Sequence, residues 1–519
     1  MFISNKNKNI VLIGFMGTGK TVVGKFLSSS YDLDLIDTDE LIEKKTGMSI
    51  SDIFDKHGGA YFRDLENQVL VELKNVNNCV ISTGGGIVLR PENRTLLSDM
   101  GTIFHLKASF EEILRRVEGT ENRPLLDNID KYECVSSLWK ERKELYDIAH
   151  FEINTDLFDP QQISVLINML FKHSLVYDVN WKKTTVICKS NIISKLELLL
   201  GYAQNGRGKR IIITDENIDT HYKRLFYDKA DEVITLPAGE RIKSMENVQK
   251  IYDIMLEKDF NRNDLVICIG GGTVLDMGGF VASTFKRGCR LCFIPTTLLS
   301  LVDASVGGKN GVNYKDVKNI IGNFYQPDVI VADTIFLKTL PQDEMLSGYG
   351  ELIKYILLTR KKTRFVSGED ISDVISLSIE YKADIVEKDE RDISGRRALL
   401  NLGHTFAHVI EALSKNSVSH GQAVADGLVW AYKFSRSLEL IERQDVLDLY
   451  TVRESYGIKE LFFDLKKYDI DDIIKLLKKD KKNIDDDISF ILPVRKDDNI
   501  VFETKTVDIY NIKRLWSVL

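Results

Sequence analysis

Three of the chain's eight histidines, His404, His408 and His420, fall within N-L-G-H-T-F-A-H-V-I-E-A-L-S-K-N-S-V-S-H-G, residues 401–421. Imidazole is a common ligand for divalent metals, and it is available in its neutral form at pH 7. His404 and His408 are four apart in an apolar, alanine-containing run that reads as helix, so both rings share one face. Upstream, G-Y-G-E-L-I-K sets Glu351 and Lys354 at the start of another helical stretch. One carboxylate and two imidazoles would hold a metal and leave a coordination position open, as a catalytic zinc requires. The same residues also read as three ordinary histidines beside a core, with a solvated Glu–Lys pair. Spacing alone does not separate the two.

A second chemical signal lies near the other end. The apolar run I-V-L-I, residues 10–13, leads directly into G-F-M-G-T-G-K-T, residues 14–21. Between a strand and a helix, this pattern cradles phosphates with backbone N–H groups. Gly17, Thr18 and Gly19 form the cradle, Lys20 reaches the β/γ-phosphates of ATP, and Thr21 holds Mg²⁺. In D-L-I-D-T-D-E, Asp37 and Asp39 are expected to end a short strand and point to one side. Arg63, in Y-F-R-D-L-E, is expected at a helix start, where its fork suits a carboxylate. The glycines of T-G-G-G, residues 83–86, allow close backbone approach. As bare residues, Arg123 in R-P-L and Arg142 in E-R-K-E-L-Y read more readily as surface charges.

The second half has its own cluster. R-I-I-I-T-D-E-N ends a strand at Asp215 and Asn217, and G-E-R-I-K-S offers Glu240 and Lys243. L-V-I-C-I-G-G-G-T-V-L-D reads as buried strand, glycine turn and helix, with Asp276 in the helix start. A dinucleotide pyrophosphate would suit that turn, although G-x-G-x-x-G is not matched. Thr296 and Thr297 follow a proline with free hydroxyls. Asp303, Lys309, Lys318 and Asn319 crowd one glycine-rich stretch, suited to a phosphate or carboxylate, or else a solvated loop. Cys289 and Cys292 alternate like strand residues, so packing is preferred to redox chemistry.

These residues need scaffolds. A chain of 519 residues, 44% hydrophobic and 28% charged, holds two to four domains, each with its own core. A net charge of -7 gives no basic field for nucleic acid. No apolar run is long enough to span a membrane and the N-terminus lacks a signal-like apolar stretch, so a cytoplasmic protein is expected. Six scattered cysteines make no disulfide framework. Residues 346–519 read as mostly helical, with K-K-D-K-K, residues 478–482, before a short strand I-S-F-I-L-P. No Pro/Ser/Gly-rich linker separates the halves, and the boundary is expected near 172–180.

Residues 10–150 resemble shikimate kinase in G-F-M-G-T-G-K-T, D-T-D, F-R-D-L-E, T-G-G-G, R-P-L and E-R-K-E-L-Y. The resemblance implies ATP-dependent phosphorylation of the 3-hydroxyl of shikimate. Asp39, Arg63, Gly85 and Arg142 would hold shikimate, with Lys20 and Asp39 catalytic. Arg123 would belong to a lid over ATP, and Asp37 and Thr21 would serve Mg²⁺. In H-G-G-A-Y-F-R the family's usual glutamate is missing, which bears on local helix packing.

Residues from about 175 to 519 resemble 3-dehydroquinate synthase. The matching runs include G-E-R-I-K-S, G-G-G-T-V-L-D, P-T-T-L-L-S, D-A-S-V-G-G-K-N-G-V-N, L-K-T-L-P, G-E-L-I-K-Y and R-A-L-L-N-L-G-H-T-F-A-H. The resemblance implies conversion of 3-deoxy-D-arabino-heptulosonate 7-phosphate to 3-dehydroquinate and phosphate, with catalytic NAD and zinc or cobalt. Glu351, His404 and His420 would bind the metal, which moves His408 from the metal to the substrate. NAD would lie against Glu240, Lys243, Gly272, Thr273, Val274, Leu275, Asp276, Thr296, Thr297, Lys318 and the segment Phe336, Leu337, Lys338, Thr339. Asp303, Lys309, Asn319, Lys354, Lys382, Arg397 and Asn401 would surround the substrate, with Lys309 also near the cofactor. Lys309, Lys354, Arg397, Asn401 and His408 would be catalytic. Arg287 would reach the pocket from a partner subunit, giving a homodimer through this half. Leu275 stands where the family usually has glycine before the aspartate. The implied architecture is α/β throughout: a P-loop NTPase-like parallel-sheet domain, 1–172; an NAD-binding α/β domain, 175–340; and a mostly α-helical metal-binding domain, 341–519.

Two alternatives remain at this point. The second half could be another sugar-phosphate cyclase or a metal-dependent polyol dehydrogenase, and the first half a non-catalytic nucleotide-binding module. The Lys309–Asn319 cluster favours a phosphorylated substrate, and Asp39, Arg63 and Arg142 beside an intact Lys20 favour a kinase.

Overall fold

The apolar run 10–13 is the centre of the first sheet because all four of its residues are buried, as a strand covered on both faces must be. The computed structural model describes residues 9–118, 131–179, 182–315, 317–359, 371–415, 417–478, 487–497 and 499–517. Arg123 lies outside the described residues, as does all of the 478–482 run except Lys478.

The chain divides into two compact units, 1–176 with 195–208, and 177–194 with 209–519. In the first unit, β1 (Ile10–Ile13), β2 (Asp34–Asp37), β3 (Cys79–Ser82), β4 (Thr102–Lys107) and β5 (Phe151–Asn154) form a parallel sheet in the order β2-β3-β1-β4-β5. β1 leads through the glycine loop into α1 (Lys20–Tyr31). α2 (Thr38–Thr46) begins one residue after β2, so Asp39 is helical and not on the strand with Asp37. Asp37 instead caps α2, accepting a hydrogen bond from the Asp39 N–H. α3 (Ile50–Glu72) is kinked at Gly58 (φ 79°), inside the H-G-G-A segment. Arg63 therefore sits early in the second limb of a long helix rather than at a helix start.

The second unit is built on seven strands: β6 (Ser174–Val179), β7 (Lys182–Cys188), β8 (Arg210–Asp215), β9 (Glu232–Leu236), β10 (Leu265–Gly270), β11 (Arg290–Pro295) and β14 (Val329–Ala332). Their order is β6-β7-β14-β11-β10-β8-β9, with parallel pairing from β7 to β9. β10 is wholly buried and turns at Gly271 into α4 (Gly272–Thr284). Cys289 and Cys292 are buried free thiols at β11, as packing required. The lysine-rich stretch is a hairpin rather than a loop, β12 (Lys309–Tyr314) against β13 (Val317–Phe324).

Beyond residue 341 the fold is mainly helical. α5 (Gln342–Thr359), α6 (Ser372–Lys388), α7 (His404–Leu413) and α8 (His420–Ser437) carry the chemistry. Glu351 and Lys354 lie in the middle of α5, not at its start. β15 (Asp487–Lys496) pairs with β16 (Asn499–Asp508) in a hairpin longer than the single short strand expected. Phe406, Trp430, Phe434 and Phe490 join α7, α8 and this hairpin in one core. Among the described residues, no helix is long and apolar enough to cross a membrane.

Candidate active sites

The glycine loop of the first unit borders a cavity of about 780 Å³, lined also by Asp37, Asp39, Arg63, Glu66, Gly85, Arg116 and Arg142. Lys20 opens α1 and donates from Nζ to the carbonyls of Gly14 (2.8 Å) and Phe15 (3.0 Å), across the loop. Thr18 turns its hydroxyl inward to the Phe15 carbonyl at 2.8 Å, so its side chain braces the loop. The Thr21 hydroxyl donates to Asp37 Oδ2 at 3.0 Å. A hydroxyl and a carboxylate thus converge beside the loop, an oxygen pair suited to Mg²⁺.

Deeper in, Arg63 pairs with the fully buried Glu66 and stacks over the Phe62 ring. Burial, then the neighbouring Asp37, pushes the Asp39 carboxyl up to about 6. Burial also lifts Glu66, to about 7, against the pull of Arg63. The Tyr146 hydroxyl fixes the Gly85 carbonyl at 2.6 Å. Asp39 Oδ1, Glu66 Oε1 and Arg142 Nε are buried without a hydrogen-bond partner. Three such atoms in one pocket are costly unless a polar ligand satisfies them.

In the second unit a cavity of about 670 Å³ opens at the carboxyl ends of β8, β10 and β11, where ligands of open α/β sheets bind. Asp215, Glu240, Lys243, Thr273, Asp276, Thr296, Phe336 and Thr339 line it. Lys243 and Asp276 form an ion pair. Burial raises the Asp276 carboxyl, and Lys243 opposes that rise. Thr273 donates to Glu240 at 3.2 Å. The Thr297 hydroxyl is engaged with Ser300 rather than free. An adjoining cavity of about 460 Å³ shares Asp276, Asp303 and Asn319 and adds Lys309, Lys382 and Arg397.

Asp303 joins the two. It lies in a single π-helical turn, Ser300–Ala304, and is gripped by Lys382 Nζ (2.9 Å) and the Tyr355 hydroxyl. Burial would raise its carboxyl, but Lys382 and Lys354 outweigh burial and hold it below the usual range.

Beside the first of these cavities, which His420 lines, Glu351 Oε1 lies 3.3 Å from His404 Nε2 and 3.4 Å from His420 Nε2. The three ligand atoms all fall within 4.8 Å of one another. Lys354 pairs with the second Glu351 oxygen. Burial disfavours the Glu351 charge, yet Lys354 and His404 hold its carboxyl well below the usual range. Burial lowers His404, whereas on His420 it is outweighed by hydrogen bonds to Glu351 and Glu411, which raise the ring to about 10. His404 Nδ1 faces the Leu402 carbonyl (3.3 Å) and His420 Nδ1 faces Glu411 (3.2 Å). With Nδ1 as donor and Nε2 unprotonated, both rings would turn an Nε2 lone pair into the space beside Glu351 Oε1, so these three groups fit a divalent ion. His408 stands aside, exposed, its ring centroid 5.9 Å from that of His404. Backbone proximity sets the cluster. A Cβ on Gly350 would lie 1.8 Å from the Gly421 carbonyl, and one on Gly421 would lie 1.7 Å from the Ser347 carbonyl. Only glycines let α5 and α8 approach closely enough for Glu351 to meet His420.

Residues 16–170 match the family of shikimate kinase, 233–347 that of the 3-dehydroquinate synthase N-terminal region and 348–483 that of its C-terminal region. The bifunctional shikimate kinase/3-dehydroquinate synthase of Thermotoga maritima is 37% identical over 429 residues, 81% of this chain and 83% of that protein. The chain belongs to the bifunctional shikimate kinase/3-dehydroquinate synthase family. The 3-dehydroquinate synthase of Pelagibacter ubique is 35% identical over 377 residues, 66% of this chain and 98% of its own. A solved 2-deoxy-scyllo-inosose synthase, complexed with carbaglucose-6-phosphate, NAD⁺ and Co²⁺, shares the fold of the synthase half. Its TM-score is 0.57 at 23% identity, covering 66% of this chain and 98% of that one.

Most of the expected residues of the kinase and synthase halves do converge on these cavities. Leu275 does not: its side chain is fully buried in the core, while Thr273 and Asp276 turn to the cavity. Lys338 is exposed and, like Leu337, Lys354 and His408, lines neither synthase cavity, and neither does the half-buried Asn401, at the end of the Arg396–Asn401 turn. Arg287 is exposed at φ 64° and lines neither cavity of its own chain. Conversely, Glu66, Arg116, His221, Glu344 and Glu411 line the cavities without having been singled out. Glu66 carried a signal, three residues after Arg63 on one helix, and so did Glu411, seven after His404. Arg116 and His221 carried none.

Proposed function

We propose that the first cavity phosphorylates the 3-hydroxyl of shikimate with ATP, and that the second turns 3-deoxy-D-arabino-heptulosonate 7-phosphate into 3-dehydroquinate and phosphate. In the kinase, the glycine loop and Lys20 bind the ATP phosphates, and Thr21 and Asp37 hold Mg²⁺. Arg63 and Arg142 clamp the shikimate carboxylate, and Asp39 and Gly85 hold its hydroxyls. Asp39, raised to about 6, accepts the proton of the attacking hydroxyl.

In the synthase, Glu351, His404 and His420 would hold zinc or cobalt, and Glu240, Lys243, Gly272–Asp276 and Phe336–Thr339 would hold NAD. When bound, the ion polarises a substrate oxygen and the nicotinamide serves as a reversible oxidant. The chain's own groups do the rest. Lys309, Asn319 and Arg397 grip the phosphate, Lys354, Lys382 and Asp303 orient the polyol, and exposed His408 moves protons. The observation that carries this reading is the convergence of two imidazole nitrogens and one buried carboxylate within 4.8 Å of one another, with His420 lining the cavity that shares Asp303 with the one lined by Lys382 and Arg397. The hairpin β12–β13 bares Tyr314, Val317, Ile320 and Phe324, and Arg287 is also exposed, which supports a homodimer with Arg287 acting across the interface.

The test uses the full chain and Glu351→Ala. The variant is expected to lose bound metal and phosphate release from the heptulosonate phosphate while keeping ATP-dependent shikimate phosphorylation. Undiminished phosphate release, or NADH accumulating in step with turnover, overturns the synthase reading.

A further inference from the structure

We propose that Glu411 is the positioning residue of the metal site, fixing the tautomer and aim of His420. The inference rests on the reading of Glu351, His404 and His420 as metal ligands. An imidazole presents the Nε2 lone pair only when its remaining proton sits on Nδ1, and the partner of Nδ1 decides that. The two histidines solve this differently. His404 uses the Leu402 carbonyl, a backbone group that no substitution removes. His420, the first residue of α8, turns Nδ1 to Glu411 Oε1 at 3.2 Å, so its orientation depends on one side chain.

Glu411 is placed for the task. Seven residues after His404, it lies on the same face of α7, two turns along. It lines the nucleotide-side cavity together with His420, its side chain 21% exposed. Lys318 and His408 are the other basic side chains facing it. A carboxylate on Nδ1 also makes Nε2 a better donor, which a neutral acceptor does less well.

Metal affinity measures this directly. Full-length protein, stripped and titrated with Zn²⁺ and Co²⁺ against a chromophoric chelator, is compared with Glu411→Ala, Glu411→Gln and Glu411→Asp. Loss of such an outer partner typically weakens binding roughly 10–100-fold. Glu411→Ala is expected in that range, with an altered Co²⁺ absorption spectrum. Glu411→Gln keeps an oxygen acceptor of the same reach and should fall between Ala and wild type. Glu411→Asp should recover part of the affinity. Unchanged thermal unfolding of the stripped variants excludes a general packing defect; the isosteric Gln variant stands if Ala does not fold. If both Ala and Gln bind within about twofold of wild type, with an unchanged Co²⁺ spectrum, the role of Glu411 is refuted while the metal site stands. If wild type binds no metal, or Glu351→Ala binds as wild type does, the metal reading falls and the inference with it.

Discussion

Glu66 is an acid packed where its charge is poorly solvated, with Arg63 and, more weakly, Arg142 to compensate. Burial raises it to about 7 in the fold against an ordinary 4.5, so the folded protein binds its proton more readily than the unfolded chain. Its contribution to stability is full below about pH 4.5 and is lost as pH rises through about 7. Thermal unfolding of the first unit should weaken across that window, and Glu66→Gln should flatten the dependence. Lys20→Met should reduce shikimate phosphorylation by at least ~100-fold, because the phosphate charge loses its one mobile cation in the loop. Phosphate release by the synthase should be unchanged in the same preparation. At this scale the sequence was most legible at Lys20, where a phosphate dictates the spacing; spacing alone pairs His404 with His408, and only the family resemblance exchanges His408 for His420. It was less so where a boundary decides: Asp39 was placed on the strand because nothing in D-L-I-D-T-D announces that the helix begins at Thr38. Glu411, although seven residues after His404, is easily passed over because a glutamate on an amphipathic helix is ordinary.

Between elements, the contact of α5 with α8 controls the metal site. Gly421→Ala would drive a methyl group into the Ser347 carbonyl, and backbone cannot turn aside as a side chain can. The expected result is a loss of roughly 1–3 kcal/mol of stability, together with a displaced His420. Calorimetry reads the first and metal stoichiometry the second; an alanine variant with wild-type melting and one bound metal would contradict the packing argument. The helix itself was recognised too late in the sequence, since the glycines of S-G-Y-G-E look like interruptions until the neighbouring helix explains them. β16 escaped notice for a related reason. Its N-I-V-F-E-T-K-T-V-D is half-exposed and charged, and only pairing with β15 makes it a strand.

Across the whole molecule, two separate chemistries occupy two units, and their order along the chain was readable from motifs alone. On the proposed reading, the synthase half depends on a second copy through Arg287. Mixing Glu351→Ala with Arg287→Ala chains should restore activity that neither variant has alone. Random pairing leaves about a quarter of the sites intact in an equal mixture, so recovery near that fraction supports sharing across a two-fold dimer and no recovery contradicts it. The join between the halves was the least legible feature, because it lacks a flexible spacer. β6 begins at Ser174, immediately after the last helix of the kinase half, and its first three residues cluster with the first unit although the strand borders the large sheet.

That arrangement sets where the two activities can be severed. A protease nick or gene truncation before Ser174 leaves the seven-stranded sheet whole. One placed after Val179 removes its border strand and bares the backbone of β7, where Val186 and Ile187 are apolar. Such an edge recruits other chains. A synthase fragment started there should precipitate on expression, while one started a few residues earlier stays dispersed.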